Sequence, residues 1–376
     1  MKTQSLGDLR PVTFEDFVGY ENEKKFLSRM ISVLSKDVED VRRKNPQADE
    51  ILVSTDHILV IGLPGCGKTT LAQIYAKKMA QEAFSKGWPV WADFNRSTGV
   101  EEWVGGTPNV PFRWATVEGR ILKDASDIND YLRYMQDFGV LIIDEFQQVG
   151  EKAVEVLYSM MHDGKWYSQK DGKMLTSRGL TIIATTTDES EIPNAILSRF
   201  ATQIRLNSYT KDDLTKIVND TCKKIGIHCD DREISDLVAV RGRGIPREII
   251  SILKTARTIL RGDGDSVLLT KDVVKEASIQ KGYGPMGLTK GDARVMLSLR
   301  EAMREGRKAI GAESLAIIAG YGTTKNYKKA AEFLVMMGYV VPSSRGTVLT
   351  EAGKKALSLA EEESDFSSIA PERNSR

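Results

Sequence analysis

The chain has 376 residues, 41% hydrophobic and 28% charged, which excludes collagen-like and wholly disordered classes. Lys+Arg number 53 against Asp+Glu 52, a formal net charge of +1, so any nucleic-acid contact must come from local patches. Three cysteines (Cys66, Cys222, Cys229) without metal-ligand spacing argue against a disulfide framework and fit a reducing, cytoplasmic setting. The start, MKTQSLGDLR, lacks the apolar core of a secretory signal, and no apolar run reaches the ~18 residues a membrane span needs.

Taken in order, the first strong element is His57–Ile61 (HILVI), short, β-branched and ending at glycine, the pattern of a buried strand. Lys68–Ala80 follows with Leu71, Ile74, Tyr75 and Met79 at helical spacing. Val140–Ile143 and Leu180–Ala184 read as two more buried strands, with a helical pattern at Ala153–Met161 between them. Such alternation predicts an α/β core with a parallel sheet. After about Asn207 the strands stop, and Lys211–Ile225, Arg232–Val240 and Pro246–Leu260 read as helices. One further short helix and a glycine-rich link, KGYGPMG, close that helical region. From Leu288 three helical stretches precede Tyr339–Val341, a PSSRG turn and Val348–Leu349, the pattern of a winged helix. The acid-rich tail from Glu361 is expected to be disordered. The predicted organisation is therefore a core at 10–207, a helical lid at 208–285, a winged helix at 288–360 and a disordered acidic tail at 361–376.

Two motifs carry chemistry. GLPGCGKT (Gly62–Thr69) matches GxxxxGK[ST] between a strand and a helix. Glycines let backbone N–H groups turn inward around phosphate oxygens, and the helix N-terminus favours an anion. Lys68 is placed to reach the β- and γ-phosphates of ATP, and Thr69 to ligate Mg²⁺. The second motif, VLIIDE, ends a buried strand in Asp144 and Glu145. Asp144 suits the Mg²⁺, and Glu145 suits the polarising of an attacking water, which favours hydrolysis over mere nucleotide retention.

Phosphate loop, DE strand, LTIIATTT strand, Ser198-Arg199-Phe200 and Gly244-Ile245-Pro246-Arg247 stand in the order expected of AAA+ ATPases. More narrowly, the chain resembles the RuvB family, bacterial Holliday-junction branch-migration motors. The opening segment RPVTFEDFVGYE (Arg10–Glu21), the RGIPRE motif and the C-terminal winged helix extend that resemblance over most of residues 10–357. It implies a P-loop AAA+ core, ATP and Mg²⁺ as cofactors, and hydrolysis coupled to DNA translocation in recombination and repair. It also implies a homo-oligomer, as a hexameric ring, acting on double-stranded or four-way-junction DNA with a junction-binding or replication partner protein. Residue by residue, Thr186 is similar to the sensor that positions the lytic water, with Thr185 as the alternative. Arg199 corresponds to the arginine finger reaching into the next subunit, and Arg247 to the second sensor in the lid. Phe17, Val18 and Gly19 match the segment against adenine, and Gly62, Pro64, Gly65, Cys66, Gly67, Lys68, Thr69 and Thr70 match the phosphate cradle. Between Tyr321 and Lys355 six basic residues stand against two acids, a surplus on a helix-turn-helix that supports phosphate contact by Lys325, Lys328 and Lys329, and the family position matching Arg345, at the wing tip, touches DNA backbone.

Two regions depart from that family. Four of the five tryptophans (Trp88, Trp91, Trp103, Trp114) lie in a long stretch from Ala80 to Phe138 with Phe94 and Phe112, readable as an aromatic platform or as a satellite core packed on the sheet. Lys165–Leu175 reads as a hairpin turning at Asp171-Gly172; in RuvB the hairpin there is apolar and engages RuvA, whereas Lys165, Lys170 and Lys173 make this one basic. Both departures keep open a second reading, an ATP-dependent loader or assembly switch that places a helicase, clamp or recombination factor on DNA. A third reading, a regulator that uses ATP only to oligomerise, is disfavoured by Glu145.

Overall fold

The computed structural model describes residues 9–44, 56–85, 90–95, 100–105, 112–135, 139–177, 179–262, 267–307 and 309–369. They fall into two compact units, one of Arg10–Ser208 and one of the residues from Tyr209 onward with Leu9.

The first unit is built in chain order from α1 (Glu21–Lys44), β1 (Ile58–Gly62), α2 (Lys68–Ser85), β2 (Val90–Asn95), β3 (Val100–Gly105), β4 (Phe112–Glu118) and α3 (Ala125–Tyr134). There follow β5 (Gly139–Asp144), α4 (Glu151–Asp163), β6 (Lys165–Ser168), β7 (Lys173–Thr176), β8 (Leu180–Thr186), α5 (Asn194–Leu197) and β9 (Thr202–Leu206). Among the described residues seven strands form one sheet in the order β3-β2-β4-β5-β8-β1-β9, parallel except where β3 runs antiparallel to β2. The inner strands β1, β5 and β8 are buried along nearly their whole length, which is why each reads as an unbroken apolar run. At the sheet edge β9 alternates instead: Thr202, Ile204 and Leu206 turn inward, Gln203 and Arg205 outward. Helices α3, α4 and the tip of β5 enclose a core that includes Leu141, Ile143, Leu157 and Trp166.

In the Trp-rich stretch, β2, β3 and β4 extend the central sheet on the β5 side. Trp91 and Trp103 are register partners, and Trp114 is buried. Trp88 and the side chains of Trp91, Phe94, Trp103 and Phe112 lie outside the described residues.

The second unit holds α6 (Lys211–Ile225), α7 (Arg232–Arg241), α8 (Pro246–Gly262) and α9 (Lys271–Gln280) around Val218, Val238, Ile252 and Leu253. It continues with α10 (Lys290–Arg304), α11 (Ala312–Ile318), α12 (Thr324–Met336), β10 (Val340–Ser343), β11 (Gly346–Leu349) and α13 (Glu351–Glu362), packed around Met296, Leu299, Leu315, Leu334 and Leu357. Antiparallel β10 and β11 form the two-stranded wing.

The expectation of disorder from Glu361 fails over 361–369. Helix α13 runs through Glu362, and Ile369 is buried. The acids there have partners that a charge count cannot see. Arg300 grips Glu361 through two 2.6 Å bonds, and Arg241, 0% exposed, binds Glu363 and Asp365 at 2.6 Å each. Ser278 Oγ accepts a further bond from Arg241 at 3.0 Å. Ile369 seats on Gly284, where any Cβ would meet its side chain at 2.8 Å. Residues 370–376 of the predicted tail lie outside the described residues.

Candidate active site

Ligands of open parallel sheets sit beyond the carboxyl ends of the strands, and here the neighbouring strands β1, β8 and β5 end in Gly62, Thr186 and Asp144. Strand β1 gives way at Gly62 to the phosphate loop, in which Gly65 (φ 81°) and Gly67 (φ 102°) occupy the left-handed region and turn consecutive N–H groups inward. Lys68 then opens α2, an 18-residue helix with no acid in its first turn to oppose an anion. Its buried ammonium is held by the carbonyls of Gly62 (2.9 Å) and Leu63 (3.2 Å) and lies 4.0 Å from Glu145 Oε1. Cys66 is buried, so the cradle uses its backbone, and Pro64, Thr69 and Thr70 complete the loop and first turn.

Strand β5 delivers Asp144. The Thr69 hydroxyl donates to its Oδ1 at 2.6 Å, and the Thr185 hydroxyl donates to the same oxygen. Hydroxyl and carboxylate are the hard oxygen donors that Mg²⁺ prefers, and two protein oxygens suffice for an ion that keeps waters and phosphate oxygens. Thr69 and Asp144 therefore fit a magnesium site. Among the described residues no group of three or more His, Cys, Asp or Glu could form a protein-only cage.

Glu145 leaves the strand in a left-handed conformation (φ 54°, ψ 57°), and its N–H donates to Thr185 Oγ1 at 3.2 Å. That kink swings its carboxylate off the strand axis. Gln147 Nε2 donates to Glu145 Oε2 at 2.6 Å, while the Thr186 hydroxyl donates to Gln147 Oε1 at 2.8 Å. The two threonines at the β8 tip thus divide their work: Thr185 serves Asp144 and Thr186 serves Gln147. Thr186, expected to act on the water, meets the site through another side chain. Gln147 escapes a sequence reading because it belongs to no motif; its one signal is a polar side chain two positions past the strand-tip acid.

The opening segment is fixed by local bonds. Phe17 and Val18 bury their side chains, Gly19 has φ 77°, and Lys24 donates to the Phe17 carbonyl at 2.6 Å. Tyr20, also left-handed, donates to the Asn207 carbonyl.

Arg199 follows α5. Its guanidinium donates to Tyr158 Oη at 2.9 Å and lies 5.0 Å from the Tyr158 ring centroid, so it rests on α4 of its own chain. Arg247 is exposed near the start of α8, in the second unit.

Away from the nucleotide motifs, the hairpin β6–β7 pairs Ser168 with Lys173, so the connection is a four-residue loop of 169–172 and not a two-residue turn at Asp171-Gly172. Asp171 is tied back by Ser168 and by Arg133, the latter through bonds of 2.6 and 3.1 Å, and together they hold its carboxyl below the usual range. The turn residue is thereby committed to structure. The cross-strand partners Tyr167 and Met174 are 54% and 57% exposed, beside exposed Lys165, Lys170 and Lys173. In the second unit, Lys325 and Lys328 are exposed on α12, and Arg345 is exposed at the wing tip. The side chain of Lys329 lies outside the described residues.

Comparison with known proteins adds to this geometry. The family model described as ATPase family associated with various cellular activities matches residues 58–208, and that of the Holliday junction DNA helicase RuvB P-loop domain matches 9–93. The RuvB subunit of the Holliday junction branch migration complex of Kosmotoga olearia is 26% identical over 370 residues, covering 96% of this chain and 92% of the relative. The same subunit of Fervidobacterium nodosum is 27% identical over 359 residues, covering 93% and 88%. Among solved structures, the Thermotoga maritima RuvB Holliday junction branch migration motor superposes with a TM-score of 0.68 at 23% identity, covering 93% of this chain and 98% of that one. The Aeropyrum pernix ORC2 protein shares the fold at a TM-score of 0.54 and 16% identity, with 98% of both chains covered.

Proposed function

Because the chain is a RuvB-like AAA+ ATPase, we propose that it works as an oligomeric motor that hydrolyses ATP to move duplex DNA and to drive branch migration at four-way junctions. The observation that carries this reading is the placement of Glu145 next to Lys68 and Asp144. A carboxylate there serves hydrolysis and has no use in a protein that only retains nucleotide.

In this reading the phosphate loop binds the triphosphate, and Lys68 offsets charge on the β- and γ-phosphates. Glu145 orients a water in line with the γ-phosphorus, and its second oxygen stays on Gln147. Mg²⁺, held by Thr69 and Asp144, would neutralise phosphate charge when bound. Arg199 leaves Tyr158 to meet the γ-phosphate of a neighbouring protomer, and Arg247, from the lid, meets the one bound by its own protomer; a finger acting in trans needs a ring or helical oligomer, read here as a hexameric ring. Lys325, Lys328, Lys329 and Arg345 contact DNA phosphates, giving binding largely independent of sequence. A cytoplasmic setting follows from DNA as the substrate, and among the described residues no helix is long and apolar enough to cross a membrane.

The test is steady-state ATP hydrolysis with and without linear duplex and four-way-junction DNA, with Lys68→Ala as the blank. Stimulation by duplex supports the motor and leads to a branch-migration assay; hydrolysis that ignores DNA overturns it. One observation favours the loader reading, the exposed Tyr167–Met174 pair, a surface better suited to a protein partner than to phosphate. Stimulation that requires an added protein in place of DNA would select that reading.

A further inference from the structure

The carboxylate assigned to water activation is held by a side chain that no nucleotide motif contains. Gln147 can make four hydrogen bonds, two from its amide hydrogens and two to its carbonyl oxygen, and three of them have partners. Nε2 donates to Glu145 Oε2 at 2.6 Å and to Thr187 Oγ1 at 3.1 Å, and Oε1 accepts from Thr186 Oγ1 at 2.8 Å. Thr187 Oγ1 is itself 3.5 Å from Glu145 Oε2. The orientation of the amide follows from chemistry, since an ionised carboxylate only accepts and so must face the NH₂ end. At the far end, Thr186 accepts from the Asp188 N–H at 3.1 Å, which leaves its one hydroxyl proton for Gln147 Oε1 or for the Asp188 carbonyl at 2.9 Å.

We propose that Gln147 is the positioning residue of Glu145, gripping one carboxylate oxygen while Thr186 fixes the amide that does the gripping. The inference rests on the hydrolytic reading above and deepens it. Oε2 is engaged by the amide, so Oε1, which faces Lys68, is the oxygen left for water. An amide suits this place because it holds the carboxylate without adding charge. Thr186 acts at a distance, because its two alternative acceptors are the Gln147 carbonyl and the backbone at Asp188. When its proton faces Asp188, the amide loses its anchor and the carboxylate loosens.

The experiment uses the full-length chain and four variants: Gln147→Leu, Gln147→Glu, Thr186→Val and the double variant Gln147→Leu/Thr186→Val. ATP affinity and steady-state hydrolysis are measured for each, with thermal melting as a check on folding. Gln147→Leu is expected to lower kcat on the order of 10- to 100-fold, the scale of a misplaced catalytic group, with ATP affinity unchanged. Gln147→Glu, ionised, has no hydrogen to donate to Glu145 and should lower kcat as Gln147→Leu does. Thr186→Val should lower kcat in the same direction, and adding it to Gln147→Leu should cost nothing more, because both act through one contact. Unchanged kcat in Gln147→Leu or in Gln147→Glu, or fully additive losses in the double variant, would overturn the proposal while leaving the ATPase intact. An inactive wild-type chain that binds ATP would instead overturn the hydrolytic reading, and the inference with it.

Discussion

At the scale of single residues, the site works by giving each acid a separate set of companions. Asp144 is held by two hydroxyls, Thr69 and Thr185, and Glu145 by an amide, so two adjacent carboxylates face different tasks. Glu145→Gln should therefore keep ATP affinity within a few-fold and abolish turnover, a contrast read by equilibrium binding beside steady-state hydrolysis. His57 shows a structural role as plainly. It accepts from the Ile182 N–H through Nδ1 at 3.1 Å and lies buried before β1; burial pulls its pKa down to about 4. The neutral form is the folded form. Its contribution is therefore complete above the unfolded value near 6.5 and is lost as pH falls toward 4, on the order of 3 kcal/mol across that window. Urea titrations at pH 7 and pH 4.5 should show that loss, and His57→Gln should flatten it.

Among elements, the strands that end at the site are legible in the sequence because parallel strands buried on both faces leave apolar runs that no helix face imitates. HILVI, VLII and LTIIA are such runs, and the phosphate loop announces itself between the first of them and α2. The elements that a sequence reading misses have mixed character. Strand β9 alternates polar with apolar because it lies at the edge of the sheet, and β2 and β3 carry Asp, Glu and Asn among their aromatics. The hairpin is legible as a hairpin but not in its turn, because Arg133, 38 residues away, decides where Asp171 sits. Arg199 is the element-scale case with a functional edge. It rests against Tyr158 of α4, so Arg199→Ala should leave the isolated chain folded and binding ATP, while the assembled protein loses turnover by about 10³-fold or more. Hydrolysis measured across a range of protein concentrations checks this, since a residue acting in trans has no effect below the assembly threshold.

Across the whole molecule, the proposed function assigns nucleotide and DNA to different residues of a chain that is nearly neutral. The basic side chains on α12 and at the wing tip would then account for most of the salt dependence of DNA binding. Replacing Lys325, Lys328 and Arg345 together by Ala should weaken binding about equally across sequences. It should also make the slope of log K against log salt shallower by about 2 to 3, on the basis of roughly 0.9 for each phosphate no longer neutralised. Fluorescence anisotropy at four salt concentrations tests both. A like-sized fall in affinity with an unchanged slope would place DNA elsewhere.

Arg241 lies in α7, yet its counter-charges, Glu363 and Asp365, come more than 120 residues later, after α13. With no solvent exposure, that guanidinium has nowhere else to place its charge. Removing one side of a buried ion pair typically costs about 3 to 5 kcal/mol, so a chain stopped at residue 360 should melt well below the full-length protein, and Arg241→Met should do much the same. The consequence is one of inheritance as well as stability. The C-terminal module cannot be traded between relatives as an interchangeable part unless the receiving helix already carries an arginine to meet it. Amides of α7 and α13, far apart in sequence, should exchange with deuterium as one cooperative block.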